Sequence, residues 1–456
     1  MNRRFDAIVI GAGQAGPSMA GRIAATGKTV ALIERKLIGG TCVNTGCTPT
    51  KTLVASAYAA HLARRAADFG VSAGPVGVDF AAVMARKDKV VGASRSGLEA
   101  WLKGMANCTL FKGHARFLSP TTIRLGDDVL EAERFFINVG CRAVAPDFPG
   151  RDQVRTLTNT TLLELDALPQ RLVIVGGSYI GLEFAQIFRR FGSEVTVVEK
   201  MPRLIAHEDE AVSDSIREAL EAEGIKVRLE AECIRFAPRG ADIAVGVNCA
   251  AGEPEELGSH VLLAIGRRPN TDDLGLEAAG VKVDPRGYVV VDDGLRASVP
   301  HIWALGDCNG RGAFTHTSYN DYEIVAANLL DGAQRKVSDR IPVYALYIDP
   351  PLGRVGLTEA AARAKGHSVR IAVRPMTRVG RAVEKGETRG FMKVVVDHDT
   401  DAILGATILG VGGDEAIHGV IEAMAAGVTA SAYTRVMAIH PTVSELVPTV
   451  FGELSG

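Results

Sequence analysis

The stretch "DAIVIGAGQAG", residues 6–16, decides how this chain is read, because "RLVIVGGSYIG", residues 171–181, repeats its design. Each is a short apolar run, as of a buried strand, that ends in a glycine loop. The first loop carries Gly11, Gly13 and Gly16 in the pattern G-x-G-x-x-G; the second carries Gly176, Ser178 and Gly181. A helix is expected after each loop, and then a second strand, "TVALIE" ending at Glu34 and "EVTVVE" ending at Glu199. The acid follows the first glycine by 23 residues in both copies (34 − 11 and 199 − 176). In such a unit the first glycine permits the tight turn, the second lets a pyrophosphate approach the backbone, and the third lets helix and strand pack closely. The phosphates sit at the helix N-terminus, where unpaired N–H groups favour anions, and the strand-end acid can accept hydrogen bonds from an adenosine ribose. Two such units predict two dinucleotide sites. Pro17 suits the first turn of the first helix. Ser178 adds a side chain where the first copy has none, so the second site is expected to fit more loosely and to exchange its ligand.

Totals set the frame. The chain has 456 residues, more than one ordinary core, with 47% apolar and 23% charged residues, as in folded globular proteins. Lys and Arg number 51 against 53 Asp and Glu, a scattered balance that argues against nucleic acid or an anionic membrane as the main partner. No apolar run reaches the ~18–20 residues of a membrane span. "MNRRFDAIVIGAG" reads as a strand entering a glycine loop rather than a signal peptide. Seven cysteines are few for this length and odd in number, which argues against a secreted disulfide framework and for a reducing, cytoplasmic setting.

Cys42 and Cys47 lie in "GGTCVNTGCTPTK", residues 39–51. A helix is expected from Pro49, which puts Cys47 near a helix N-terminus, where the dipole favours a thiolate. A regular helix separates residues five apart by at least ~7.5 Å along its axis, beyond the reach of a disulfide. The segment must therefore be distorted if the two are to pair, and Asn44 and Gly46 tolerate such a turn. Redox pair, metal ligands and buried core residues are the three readings. No second cysteine pair or His-x-x-x-His supports a metal, and two adjoining dinucleotide sites favour redox. Cys108, Cys141, Cys233, Cys249 and Cys308 are expected in the core.

With these features on the page, the chain resembles the flavoprotein pyridine nucleotide-disulfide oxidoreductases, among them dihydrolipoamide dehydrogenase, glutathione reductase and mercuric reductase. The resemblance runs nearly end to end through "GAGQAG", "GGTCVNTGCTPTK", "GGSYIGLEFA", "AIGRRPN" (264–270), "ALGDC" (304–308) and "HPTVSE" (440–445). It implies an α/β fold with two Rossmann-like domains, for FAD and NAD(P), and a C-terminal α+β dimerisation domain. The expected divisions are 1–147 (FAD, with the cysteine pair), 148–265 (NAD(P)), 266–335 (a return to the FAD domain) and 336–456 (interface). Gly11, Gly13, Gly16 and Glu34 would bind the adenosine diphosphate part of FAD. Gly40, Thr41 and Lys51 would line the flavin, with Glu183 as partner of Lys51. His114 and Ala115 would meet adenine, and Arg267 and Asp307 would approach FAD. Gly176, Ser178, Tyr179, Gly181, Glu199 and Gly266 would hold NAD(P).

Tyr179 matches a position where a ring covers the flavin until nicotinamide displaces it; the other reading is an interface tyrosine. Cys47 would be the thiolate beside the flavin and Cys42 the thiol that meets substrate. His440, with Glu445 orienting it, would move the proton, presented by the partner subunit of a homodimer. Pro441 favours a helix start there. Glu199 favours NADH over NADPH, although Lys200 and Arg203 follow closely.

The implied activity passes electrons from NAD(P)H through FAD and the Cys42–Cys47 disulfide to a small or protein-bound disulfide, reversibly as in dihydrolipoamide dehydrogenase. The alternative is reduction of Hg(II), Cu(II) or a quinone. A flavin-binding regulatory protein with little turnover is the third reading. The chain ends "VFGELSG" with no cysteine after Cys308, unlike mercuric reductases. Thr48 and "INVGCR" (137–142) make the flavin surroundings more polar than in relatives.

Overall fold

Each glycine unit opens a parallel sheet. The computed structural model describes residues 2–232, 234–247 and 255–455, and these fall into two compact units. The first takes Met1–Thr52, Met84–Val144 and Gly266–Arg340. Its central strand Asn2–Ile10 runs parallel to Val30–Glu34 on one side and to Asp128–Ile137 on the other. Cys108–Lys112 adds to the far edge, again parallel. The long strand Asp128–Ile137 is shared: its first half pairs with the antiparallel hairpin strand Thr122–Leu125, its last three residues with Ile302–Ala304.

The central strand is buried on both faces, as strands of parallel sheets are. Phe5, Ile8 and Ile10 enter one core with Phe117, Ile123 and Phe135, while Ala7 and Val9 enter the other. Onto that second face pack helix Ala15–Ala24, through Ala15, Met19, Ala20 and Ile23, and helix Thr315–Leu330, through Ile324 and Val325. Each large apolar side chain buried this way stabilises the unit by about 1.5–3 kcal/mol before entropy is counted.

The second unit takes Leu53–Val83, Ala145–Ile265 and Ile341–Gly456. Its parallel sheet runs Lys226–Arg228, Glu194–Val198, Arg171–Val175, His260–Leu263, Thr156–Leu157. The chain after residue 340 forms a five-stranded antiparallel sheet in the order Val343–Leu346, Leu352–Gly356, Ile403–Leu409, Phe391–Asp397, Val369–Pro375. Helices His418–Ala425 and Leu446–Gly452 cover it through Val420, Ala423, Val447, Val450 and Phe451. The fold is thus α/β, with two Rossmann-like sheets and a C-terminal α+β part, as the motifs imply.

Three local expectations need correction. The helix expected from Pro49 begins at Cys47, so Pro49 is its third residue, and the chain breaks one residue earlier, at Gly46. No helix starts at Pro441. Thr442 donates to the Ile439 carbonyl (2.8 Å) and accepts from Glu445 N–H (3.1 Å), a side-chain-closed turn that delays the helix to Leu446. Cys108, on an edge strand, is half-buried, whereas Cys141 and Cys308 are buried; Cys233 and Cys249 lie outside the described residues. Among the described residues no helix is long and apolar enough to cross a membrane.

Candidate active site

The two glycine loops share their covalent pattern and their contacts. Gly11 sits at φ +105° and Gly176 at φ +118°, and a Cβ on either would lie 2.2 or 2.4 Å from a backbone oxygen, of Asn138 or Ala264. A Cβ on Gly16 would stand 2.1 Å from Gly11 O, and one on Gly181 2.0 Å from Gly176 O. Only glycine fits these four positions. The strand-end acids also behave alike. Glu34 accepts Ala12 N–H (2.9 Å) and Lys36 N–H (2.8 Å); Glu199 accepts Gly177 N–H (2.5 Å) and Met201 N–H (2.8 Å). Two N–H donors hold each carboxylate in place, with lone pairs left over for a ribose.

At Gly40, φ +60°, a Cβ would come within 2.8 Å of Gly13 Cα, so the loop before the cysteines closes directly on the first glycine loop. The short helix Gly40–Thr45 carries Thr41 and Cys42, with Asn44 Nδ2 donating to the carbonyls of Ile38 and Gly40 at 2.9 Å each. Gly46, at φ −136° and ψ −114°, breaks the chain, and helix Cys47–Arg64 starts anew. That break brings Cys42 and Cys47 within hydrogen-bonding reach of each other as free thiols. The Cys42 thiol is pushed up by its hydrogen bond to Cys47, by burial and by the Cys47 charge; Thr315 and Lys51 pull the other way. The Cys47 sulfur lies 3.2 Å from the Thr315 hydroxyl.

Arg267 gathers two of the residues expected at FAD, Thr41 and Asp307, together with Cys141. Its Nη2 donates to Cys141 O (2.6 Å) and to Thr41 Oγ1 (3.4 Å), and stands 3.5 Å from Asp307. Burial raises the Asp307 carboxyl, and Arg267 offsets this. Burial also pushes the Cys141 thiol up to about 12, with Asp307 adding to it. His114 contacts Asp273 O (3.1 Å), whose carboxylate pairs with Arg35 at 2.7 Å. Ala115 starts the strand that follows, paired with Leu125. Gly266, at φ +124°, belongs to this first unit, unlike the other residues expected to hold NAD(P).

In the second unit, Tyr179 opens helix Tyr179–Phe191. Its hydroxyl bonds His207 Nε2, and its ring meets Tyr344 edge-on at 5.4 Å. Burial and the Arg354 charge lower the His207 imidazole. Ser178 is the residue before that helix and makes no side-chain cap bond. Glu183 is buried and accepts Tyr347 N–H at 3.1 Å. Lys51 lies in the first unit and Glu183 in the second. His440 is exposed, and its Nδ1 lies 2.9 and 3.1 Å from the Glu445 oxygens, an imidazole steered by a carboxylate.

The first unit fits FAD. Gly11, Gly13, Gly16 and Gly40 form a cradle that side chains would fill, and Arg267 Nε is a buried donor with no protein acceptor. Two residues that this site uses escaped the sequence reading. Asn138 backs the loop, its Nδ2 donating to Gly11 O at 3.2 Å; it sits in "INVGCR", where only the polarity stood out. Thr315 is 268 residues from Cys47, and nothing local marks it.

Comparison with known proteins agrees with this geometry. The family model of the pyridine nucleotide-disulphide oxidoreductases matches residues 5–321, and that of their dimerisation domain residues 343–451. A probable pyridine nucleotide-disulfide oxidoreductase, RclA, from Escherichia coli is 36% identical over 98% of this chain and 99% of its own. A mercuric reductase from Bacillus cereus is 34% identical over 97% of this chain and 70% of its own. A dihydrolipoyl dehydrogenase from Thermus scotoductus is 35% identical over 97% and 96%. The Cu(II) complex of the E. coli HOCl-induced flavoprotein disulfide reductase RclA superposes with TM-score 0.90, at 35% identity and 99% coverage of both chains. The chain belongs to the pyridine nucleotide-disulphide oxidoreductase family and is an FAD-dependent enzyme of that family.

Proposed function

We propose that this oxidoreductase draws electrons from NADH and delivers them through the Cys42–Cys47 pair to a small or protein-bound disulfide. The observation that carries the reading is the chain break at Gly46, which sets two free thiols side by side at the head of a helix, one turn from Lys51. FAD, when bound, supplies the hydride chemistry between nicotinamide and the cysteines. Gly11, Gly13, Gly16, Glu34, Gly40, Thr41, Lys51, His114, Ala115, Arg267 and Asp307 are the residues we assign to it. Gly176, Ser178, Tyr179, Gly181, Glu199 and Gly266 are assigned to the nicotinamide dinucleotide, with Tyr179 as the movable ring. The doubly bonded Glu199 carboxylate favours a free ribose diol and repels a 2′-phosphate. Glu183 is assigned to orient Lys51.

Turnover at the cysteines balances as follows. The Cys42 thiolate attacks a substrate disulfide, forming a mixed disulfide and releasing one thiolate. Cys47 then attacks Cys42 Sγ, closing the Cys42–Cys47 disulfide and releasing the second. His440, oriented by Glu445 and contributed by the partner subunit of a homodimer, holds the proton from Cys42 and returns it to a leaving thiolate. The pair has lost two electrons and the substrate has gained them; the lipoamide direction is the reverse. The sparse cysteines support a cytoplasmic site of action.

A second reading is supported by the Cu(II) complex of the structural relative: the dithiol or flavin reduces a metal ion. Steady-state NADH oxidation with lipoamide, glutathione disulfide and Cu(II) separates the two. The disulfide reading requires turnover with a disulfide that vanishes in both Cys42→Ser and Cys47→Ser. Turnover with Cu(II) alone would replace it with the metal reading.

A further inference from the structure

We infer that His207 is a positioning residue, the catch of Tyr179: its imidazole pins the phenol ring and so sets how readily NADH seats its nicotinamide. This rests on the reading of Tyr179 as the ring that gives way to nicotinamide. The Tyr179 hydroxyl hydrogen-bonds His207 Nε2, and the two ring centroids are 5.4 Å apart. Tyr344 completes the group, edge-on to both rings, at 5.4 Å from Tyr179 and 5.9 Å from His207. Aromatic rings attract one another at these separations and angles. Tyr179 therefore gives up a hydrogen bond and two ring contacts when it swings away.

A strained strap places His207. It lies in the connection between strand Glu194–Val198 and helix Glu210–Ala222, a stretch that begins with Glu199. That stretch is laced to the second glycine loop at both atoms of one peptide residue: Gly177 N–H donates to the Glu199 carboxylate, and Gly177 O accepts Ile205 N–H at 3.0 Å. A Cβ on Gly177 would stand 2.6 Å from Leu204 Cδ2, so strap and loop lie in direct contact. Ile205 is buried and sits at φ +46°, a left-handed conformation that is sterically costly for a β-branched residue. Such strain persists only where the surroundings over-determine it. Beyond Ile205, Glu208 N–H donates to Ile205 O (2.9 Å), and Asp209 takes Lys393 Nζ (2.9 Å) and Glu359 N–H (3.3 Å). His207 is thus fixed from both sides. Its side chain is exposed and fills no core; what the strap gives it is contact with Tyr179 and Tyr344. One stretch of chain carries both the acid assigned to the ribose and the catch on the ring.

A ligand that needs a less populated state binds more weakly by the fraction of that state, and one ordinary hydrogen bond biases such an equilibrium about two- to ten-fold. His207→Phe keeps a ring and removes the bond; Tyr179→Phe removes it from the other side. The NADH Kd of each holoenzyme is read from the saturation of flavin reduction in stopped flow. Each variant should lower it about two- to ten-fold. The double variant should do no more than either alone, because the same bond is lost in all three. ADP-ribose, which lacks the nicotinamide, should inhibit wild type and variants equally. A His207→Phe Kd that is unchanged or raised, additive effects of the two substitutions, or an ADP-ribose affinity that moves with that of NADH overturns the proposal. Tyr179→Ala judges the underlying reading separately, since it removes the ring itself. Tighter NADH binding in Tyr179→Ala with none in His207→Phe would sink the catch alone; no tightening in Tyr179→Ala would sink the movable ring.

Discussion

The loops at Gly11 and Gly176 are one device used twice, and their differences are more informative than their likeness. Both have a positive-φ first glycine, a third glycine pressed on its carbonyl, and a glutamate locked by two N–H groups. The first is backed by the Asn138 side chain and closed in front by Gly40, which leads straight to the cysteines. The second has Ser178 where the first has Gly13, and opens onto a tyrosine held by His207 and Tyr344. A tightly enclosed loop suits a resident group. A loop with a side chain at its mouth and an aromatic beside it suits a ligand that comes and goes.

The largest effect should come from the third glycines. Gly16→Ala puts a Cβ 2.1 Å from Gly11 O, and Gly181→Ala puts one 2.0 Å from Gly176 O. The first variant should purify colourless, with flavin content near zero. The second should stay yellow and lose reduction by nicotinamide. Loss of flavin from both would erase the distinction drawn between the loops.

A smaller effect follows at the acids. Glu199→Ala leaves Gly177 and Met201 N–H groups without their acceptor, costing about 1–3 kcal/mol. It should also narrow the NADH-over-NADPH ratio of kcat/KM about ten-fold, the scale of a charge-assisted bond. Glu34→Ala should leave that ratio unchanged while weakening FAD retention in a dialysis assay. A ratio unmoved by Glu199→Ala would remove the acid from cofactor choice.

Ser178→Gly makes the second loop copy the first and carries the smallest expectation. Ser178 caps no N–H with its side chain, so melting should move by only a few tenths of a kcal/mol. NADH should bind a few-fold tighter by stopped-flow titration, with slower release. Looser binding would mean that the serine hydroxyl is itself a ligand.

Much of this was legible in the chain because it depends on local spacing. Glycines that must turn, and an acid a fixed distance on, follow from one strand–helix–strand unit. A regular helix could not bring the cysteines together, and of the two residues expected to tolerate a turn, Gly46 takes the distortion while Asn44 stays in the helix Gly40–Thr45. What stayed hidden depends on contacts made across long intervals. Thr315 reaches Cys47 from 268 residues away and Arg267 reaches Thr41 from 226. Periodicity carries no information about such meetings. The turn at His440–Glu445 was misjudged for another reason. Proline is as compatible with the first turn of a helix as with a loop, and the Thr442 hydroxyl decided between them.

The most direct measurement is an anaerobic titration of the purified yellow enzyme with NADH and then NADPH, following the visible spectrum. The account predicts a long-wavelength absorbance band that grows to a maximum near two electrons per flavin, from the Cys47 thiolate against oxidised flavin, with NADH the tighter reductant. Bleaching of the flavin with no such band would contradict it, because the cysteines would then be out of redox contact with the cofactor.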